Sequence, residues 1–315
     1  MKAVRLHEFG GRPTLDEVPE PEGGETLVRV EAAAVAHLDL TVASGSFHMT
    51  PSLPHIGGVE GCGTVVSSDV HEPGTRVMLR GGGLGLVRSG TWAELVAVRS
   101  RHVAPLPADL SPELGATYFV PTTTAYTALH DIGRLGTWVS DDETVVVAGA
   151  AGAVGSMVVQ LALRAGATVI GLVSGEQAGR LPAGVEAVRL GDEDRAAELT
   201  RDRPATLLVD TLGGQGLAAR SRWVRPGGRA VAIGYVAGTE VGLDLPNWLL
   251  EDVALLPVNM IRRDAGAREH APMLARLLAA GELTLEVESF AMADIAKVLD
   301  LLATGGLRGR AVITP

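Results

Sequence analysis

A single cysteine, Cys62, occurs in 315 residues, which excludes an intrachain disulfide and a multi-cysteine zinc lobe and suits a reducing compartment. Basic charge is scarce as well: 27 Lys and Arg stand against 37 Asp and Glu, a formal net charge of −10 with a pI near 5.3. No basic stripe is offered to a nucleic-acid backbone or an anionic membrane, so neither is expected as a partner and a small-molecule substrate is. No run approaches the roughly 18 apolar residues of a membrane span. Met1 to Glu8 is a charged strand pattern without a continuous apolar core, and the sequence reads as cytoplasmic. Internal repeats and low-complexity segments are absent. What remains, 46% hydrophobic and 20% charged over a length sufficient for two domains, describes a globular protein with a large core.

The most informative stretch is Thr144 to Ser156. Thr144 to Ala148 is short, apolar and β-branched, as a strand buried on both faces of a parallel sheet should be. A turn follows at Gly149, and Gly152 and Gly155 occupy the second and third glycine positions of the dinucleotide fingerprint, with Ala150 in the first. Apolar positions at helical spacing then run through Met157, Val158, Leu161, Ala162 and Ala165 to Gly166, and a second strand pattern spans Thr168 to Val173. Glycine is common here, at 40 residues, so the triplet alone says little; the strand–turn–helix–strand context makes it a phosphate cradle. Backbone amides of Ala150, Ala151, Gly152, Ala153, Val154 and Gly155 are the expected ligands, at a helix N-terminus.

Before this stretch, short alternating strands such as Leu27 to Ala32 and Gly63 to Val66 are separated by Pro- and Gly-rich turns, which predicts a β-rich domain to about Thr117. Gly81 to Leu86 precedes the strand pattern Trp92 to Val98 and no helix, so it reads as a hairpin loop. Ser111 with Pro112 marks a helix start near the boundary. Six strands, Thr144 to Ala148, Thr168 to Val173, Ala187 to Leu190, Thr206 to Asp210, Arg229 to Ile233 and Ala254 to Met260, alternate with helices and predict a doubly wound sheet. Helices at Ala271 to Ala279 and Ala293 to Ala303 follow, and a last strand, Arg310 to Thr314, is expected to rejoin the first domain.

Several segments in order, Gly57 to Gly63, Gly90 to Val96, Pro121 to Leu129, Gly149 to Gly155, Val209 to Gly214, Pro226 to Arg229 and Gly309 to Ile313, resemble the medium-chain dehydrogenase/reductase superfamily, and within it the zinc-free quinone-oxidoreductase-like branch. The resemblance implies an α/β protein in which a GroES-like catalytic domain, 1–117 and 261–315, carries an inserted Rossmann domain, 118–260, with the active site in the cleft between them. Zinc alcohol dehydrogenases of the superfamily bind their metal through three places that here hold Ala36, Val59 and Val120, none of which can ligate. Their proton-relay positions appear as Leu38 and Thr41. No zinc is expected. Glu60, which borders the metal in zinc members, reads more simply as a buried residue hydrogen-bonded to backbone.

The chemistry left is hydride transfer from a reduced nicotinamide to a carbon made electrophilic by conjugation, in a quinone or an α,β-unsaturated carbonyl. By the resemblance, Thr124 lies on the nicotinamide side, unless it caps the following helix; Gly234 and Tyr235 lie along the nicotinamide, unless the tyrosine is core; and Leu212 belongs to the neighbouring loop. Phe47 or His48 lines the substrate pocket, with His48 a candidate proton donor or simply a solvated loop histidine. His37 and Arg310 match positions that in some relatives reach the cofactor phosphates, unless His37 packs under its loop and Arg310 is an ordinary surface arginine. The asparagine common at Ala36 in zinc-free relatives is missing, which keeps open a second reading: a nucleotide-binding protein with little or no turnover.

NADPH is expected rather than NADH, because Ser174 stands where NAD-binding proteins place an acid on the ribose hydroxyls, about 20 residues past the fingerprint. Arg180 and Arg189 are the nearest basic residues, Ala178 and Gly191 replacing the lysine and tyrosine usual in NADPH-preferring relatives; alternatively Ser174 and Gln177 form a capping box. A homodimer pairing Ala254 to Met260 with its own copy is expected, since an open apolar edge is a liability unless covered.

Overall fold

The computed structural model describes residues 1–138 and 142–315. Chain contacts divide it into two units, Met1–Phe119 with Ala275–Pro315, and Val120–Leu274.

The first unit opens with β1 (Lys2–Leu6), β2 (Thr14–Glu17), β3 (Thr26–Val35), α1 (His37–Ala43), β4 (His55–Ile56), β5 (Glu60–Ser68), β6 (Arg76–Arg80), β7 (Leu95–Val98), β8 (Val103–Pro105) and α2 (Pro112–Thr117). The second holds most of α3 (Phe119–Tyr126), then β9 (Thr144–Ala148), α4 (Ala153–Arg164), β10 (Thr168–Val173), β11 (Val185–Arg189), α5 (Glu193–Asp202), β12 (Ala205–Asp210), α6 (Gly216–Ser221), β13 (Val224–Ala232), α7 (Leu245–Glu251) and β14 (Ala254–Pro257). α8 (Asp264–Ala279) carries the boundary, and β15 (Val287–Ala291), α9 (Ile295–Thr304) and β16 (Arg310–Thr314) complete the first unit.

In the first unit β2-β1-β4 form a small antiparallel sheet, and β15-β16-β3-β5-β6-β8, with β7 also on β3, form the larger one. Alternation explains the core: Val28, Val30 and Val65 face inward with Val77, Leu79 and Val96, covered by Ile295, Val298 and Leu299 of α9. β16 pairs antiparallel with β3, Val312 opposite Ala34, as its apolar pattern predicts.

In the second unit the six strands run in the order β11-β10-β9-β12-β13-β14, all parallel. β9 is buried at every residue because both faces are covered. The order reverses direction between β9 and β12, which places a crevice at their carboxyl ends. The amino ends are closed by a buried network. Arg229 donates to Glu143 through two nitrogens (2.8 and 2.9 Å), to the Thr206 carbonyl (2.8 Å) and to the Gly133 carbonyl (2.6 Å), while the Thr206 hydroxyl also donates to Glu143.

Some elements differ from the sequence reading. The strand expected from Trp92 is regular only from Leu95, because Gly90, Thr91 and Trp92 donate instead to carbonyls of Ile56, Gly58 and Gly57. β14 stops at Pro257, where the ladder loses a donor. α8 starts at Asp264 rather than Ala271 and accommodates Pro272. The contact division after Leu274 falls within α8, whose first half packs into the second unit: the His270 ring lies tilted against Tyr126, centroids 4.4 Å apart, and its Nε2 lies 3.5 Å from Asp131. Among the described residues no helix is long and apolar enough to cross a membrane.

Candidate functional site

The second unit supplies the cradle. Gly149 takes φ +79, and its N–H and that of Ala150 both donate to the Leu172 carbonyl (3.0 Å), which folds the end of β9 back on β10. Ala150 substitutes for the first glycine because its fully buried methyl faces Gly171 of β10, a residue without a side chain. At Gly155 a Cβ would lie 2.1 Å from the Gly149 carbonyl oxygen, so only glycine lets α4 sit this close to the turn. Gly152 caps α4 in an extended conformation. The first-turn amides of Ala153, Val154 and Gly155 have no acceptor within the helix and face its open N-terminal end. Ala151 lies in the turn, partly exposed. The fit to a dinucleotide pyrophosphate is that of a backbone donor set with no side chain in the way.

Ser174 follows β10 and Arg189 ends β11, both with exposed side chains, and Arg180, also exposed, ends the short helix Gly175–Arg180. A Cβ at Gly175, Gly179 or Gly191 would meet nothing within 4 Å, so the ground beside Ser174 is open. The alternative for Ser174 and Gln177, a capping box, does not form. The Ser174 hydroxyl donates to the Gln177 side-chain oxygen (2.9 Å), because a tight 3-10 turn replaces the helix.

Thr124 lies inside α3, fully surrounded, so it is no helix cap. After Thr124 and Tyr126 the helix widens into a π-type segment, Thr127–Ile132, a local irregularity that recurs at functional sites. Leu212 and Gly234 sit on the loops after β12 and β13, and these loops touch: a Cβ on Gly234 would lie 2.2 Å from the Thr211 carbonyl oxygen. Tyr235 is 67% exposed and is not core.

In the first unit Arg310, at the start of β16, donates to Glu60 (Nη2, 2.6 Å) and to the Thr117 hydroxyl (Nε, 2.6 Å). Glu60 is thus held by a guanidinium, and two of the three Arg310 nitrogens are committed inside this unit. His37 opens α1; desolvation, then the Arg310 cation, depress its pKa. Asp39, two residues on, accepts from Ala36 N–H (2.7 Å) and Gly58 N–H (3.3 Å). Burial pushes its carboxyl up to about 7, an effect the Ala36 bond opposes and nearby Glu60 reinforces. Phe47 and His48 lie against each other with tilted rings, centroids 4.4 Å apart, in the loop after α1, with Phe47 half-buried and His48 exposed.

Ala36, Val59 and Val120 stand where metal ligands would be needed, and among the described residues no three His, Cys, Asp or Glu side chains converge in a way that could hold a metal ion. Cys62 is buried with its thiol pushed up to about 12 by burial, so it is not a nucleophile. The segment Pro246 to Glu251 belongs to α7: Asp244 accepts from Asn247 N–H and Pro246 fits the first turn. The sequence reading missed Asp39, whose cue was its place three residues after the helix N-cap, and the bond between Arg310 and Thr117, for which no local pattern exists.

Comparison with known proteins agrees with this geometry. The family described as alcohol dehydrogenase GroES-like domain matches residues 22–108, and that described as zinc-binding dehydrogenase matches 153–279. A zinc-type alcohol dehydrogenase-like protein of Schizosaccharomyces pombe is 42% identical over 154 residues, 49% of this chain and 46% of that protein. The quinone oxidoreductase of Mus musculus is 25% identical over 298 residues, 89% and 86% of the two chains. The structure of Escherichia coli quinone oxidoreductase complexed with NADPH matches with a TM-score of 0.85 over 100% of both chains at 22% identity, a likeness of fold.

Proposed function

Because the chain belongs to the medium-chain dehydrogenase/reductase superfamily, whose two families together match more than half of it, we propose that it is a zinc-independent reductase using NADPH, acting on quinones or α,β-unsaturated carbonyl compounds. The observation that carries the reading is the side-chain-free cradle at the carboxyl end of β9, where the strand order reverses. A bound nicotinamide supplies a hydride for an acceptor carbon that conjugation has already made electrophilic, so no Lewis acid is required.

The chain's own residues then bind, orient and protonate. The α4 amides take the pyrophosphate, and Ser174 offers a neutral hydroxyl where a carboxylate would repel a 2′-phosphate. Thr124 and Gly234 bound the nicotinamide position in the second unit. In the first unit Phe47 offers an apolar ring to a flat substrate, and exposed His48 beside it is the proton donor for the product oxygen. The single buried cysteine suits a cytoplasmic, reducing setting. A second copy covers the free edge of β14: α7 beside it exposes Leu249 and Leu250 (65% and 83%), and a groove of about 610 Å³ lined by Trp138, Leu243, Trp248 and Leu249 adjoins it.

The test is to mix the protein with NADPH and a panel of quinones and enones and follow the nicotinamide absorbance. Oxidation that survives a chelator, in protein without stoichiometric zinc by elemental analysis, is expected. Tight cofactor binding with no oxidation across the panel would leave a nucleotide-binding protein without this activity, and a monomer mass by light scattering would remove the dimer.

A further inference from the structure

The loop after β12 is held by a device that the nucleotide fingerprint does not explain. Asp210, fully buried at the end of β12, accepts the N–H of Leu212 and that of Gly213 on one oxygen, each at 2.8 Å. Its other oxygen accepts Nε of Arg220 at 2.6 Å, and Nη2 of the same arginine donates to the Gly213 carbonyl at 3.0 Å. Arg220 comes from α6 and is itself 9% exposed. Three of these four bonds end on backbone atoms of the loop, so the pair grips the Leu212–Gly213 segment by its donors and its acceptor at once.

The loop faces the cradle. The Thr211 hydroxyl donates to the Ala148 carbonyl (2.7 Å), the last residue of β9, and a Cβ on Gly149 would lie 2.3 Å from that hydroxyl oxygen and 3.1 Å from the Leu212 side chain. On its other side, a Cβ on Gly213 or Gly214 would lie 2.5 Å from the carbonyl oxygen of Gly234 or Ala237. Three loops, after β9, β12 and β13, are therefore stacked backbone to backbone. Close packing fixes their spacing, and the Arg220–Asp210 pair fixes which way the middle one presents its peptide groups and the Leu212 side chain.

We propose that Arg220 is a positioning residue for the cofactor: acting through Asp210, it keeps the loop 211–214 in its binding shape before the nucleotide arrives, so that no ordering cost falls on binding. The proposal rests on the reading of this site as a dinucleotide cradle.

The experiment measures three quantities on wild type, Arg220→Lys and Arg220→Gln: the dissociation constants of NADPH and NADH from nicotinamide fluorescence, the cofactor-free melting temperature, and hydrogen exchange at the Leu212 and Gly213 amides. Free wild type should already protect both amides. Arg220→Lys keeps the charge beside Asp210 but cannot serve the carboxylate and the Gly213 carbonyl together, because an ammonium lacks the planar fork. It should melt near wild type, yet exchange faster at Gly213 and bind cofactor about tenfold more weakly, the loss of one charge-assisted bond. Arg220→Gln should weaken binding further. Wild-type affinity in Arg220→Lys, or rapid exchange at both amides in the free wild-type protein, overturns the proposal whether or not Arg220→Gln folds. Failure of wild type to bind either nucleotide would instead defeat the dinucleotide reading itself.

Discussion

The two ends of the six-stranded sheet each hold a buried pair of arginine and carboxylate, used for different purposes. At the amino ends Arg229 and Glu143 are bonded to each other, to Thr206, to the Gly133 carbonyl and to the Gly136 N–H, and both ions are buried. At the carboxyl ends Arg220 and Asp210 spend their bonds on one loop beside the glycine turn. A saturated network welds a core, whereas one turned on a loop shapes a surface. The contrast separates what should be measured as folding stability from what should be measured as affinity.

Arg229→Met should give the largest effect. It strands the Glu143 carboxylate without its guanidinium, at a cost of about 3–5 kcal/mol, read as a lower urea midpoint, while the fraction that folds keeps its cofactor affinity. A comparable loss of affinity in the folded fraction would erase the distinction between the two ends. Gly155→Val comes next: its Cβ would fall 2.1 Å from the Gly149 carbonyl oxygen, so α4 must withdraw. Overpacking of on the order of 1–3 kcal/mol should appear in unfolding, together with loss of most cofactor affinity by fluorescence titration.

The comparison sharpens with a third carboxylate, Asp39, which is buried like Glu143 but bonded to N–H groups without a guanidinium of its own. The signs are opposite. Burial by itself raises Glu143, but its bonds to Arg229, Thr206 and Gly136 more than offset that and leave its pKa lowered. Its stabilisation is present at neutral pH and is lost as pH falls below the ordinary glutamate range. Asp39 is raised from 3.8 to about 7. Between those values the folded state binds more protons than the unfolded chain, and stability falls as pH climbs through that window. The melting temperature of Asp39→Asn should lack this decline between pH 4 and 7; an unchanged profile would show that Asp39 is ionised throughout. The smallest effect belongs to the exposed Arg180. Arg180→Ala should weaken NADPH by up to about fivefold, ~1 kcal/mol, and NADH hardly at all, whereas tighter binding of NADH than NADPH by wild type would refute the cofactor preference.

The second unit was legible because its sequence cues are backbone cues. Thr144 to Ala148 has to be a covered strand, and Gly149, Gly152 and Gly155 have to allow close approach, so pattern and geometry coincide. Ala254 to Met260 was recognised but overextended, since the pattern does not weigh the donor lost at Pro257. Side-chain partnerships were much less legible. Arg310 was read as a phosphate ligand, yet its partners Glu60 and Thr117 lie 250 and 193 positions away, and no local spacing encodes such a bond. Tyr235 was read as lying along the nicotinamide or else in the core, and its 67% exposure excludes the core, which no local pattern could decide. Arg220 offered no signal at all: an arginine on a short helix looks like surface until Asp210 is placed beneath it.

The pairing of β16 with β3, Ala311 opposite Val35 and Ile313 opposite Ala33, bears on how the chain is born. β16 lies between β3 and β15 in their sheet, so that sheet stays interrupted while the whole of the second unit is translated. The second unit is one continuous segment, Val120 to Leu274, and can complete its strand pairing on the ribosome as soon as it emerges. The unit that is begun first is therefore finished last, and until Arg310 to Thr314 leave the exit tunnel the open side of β3 is a sticky edge that a nascent-chain chaperone would have reason to shield.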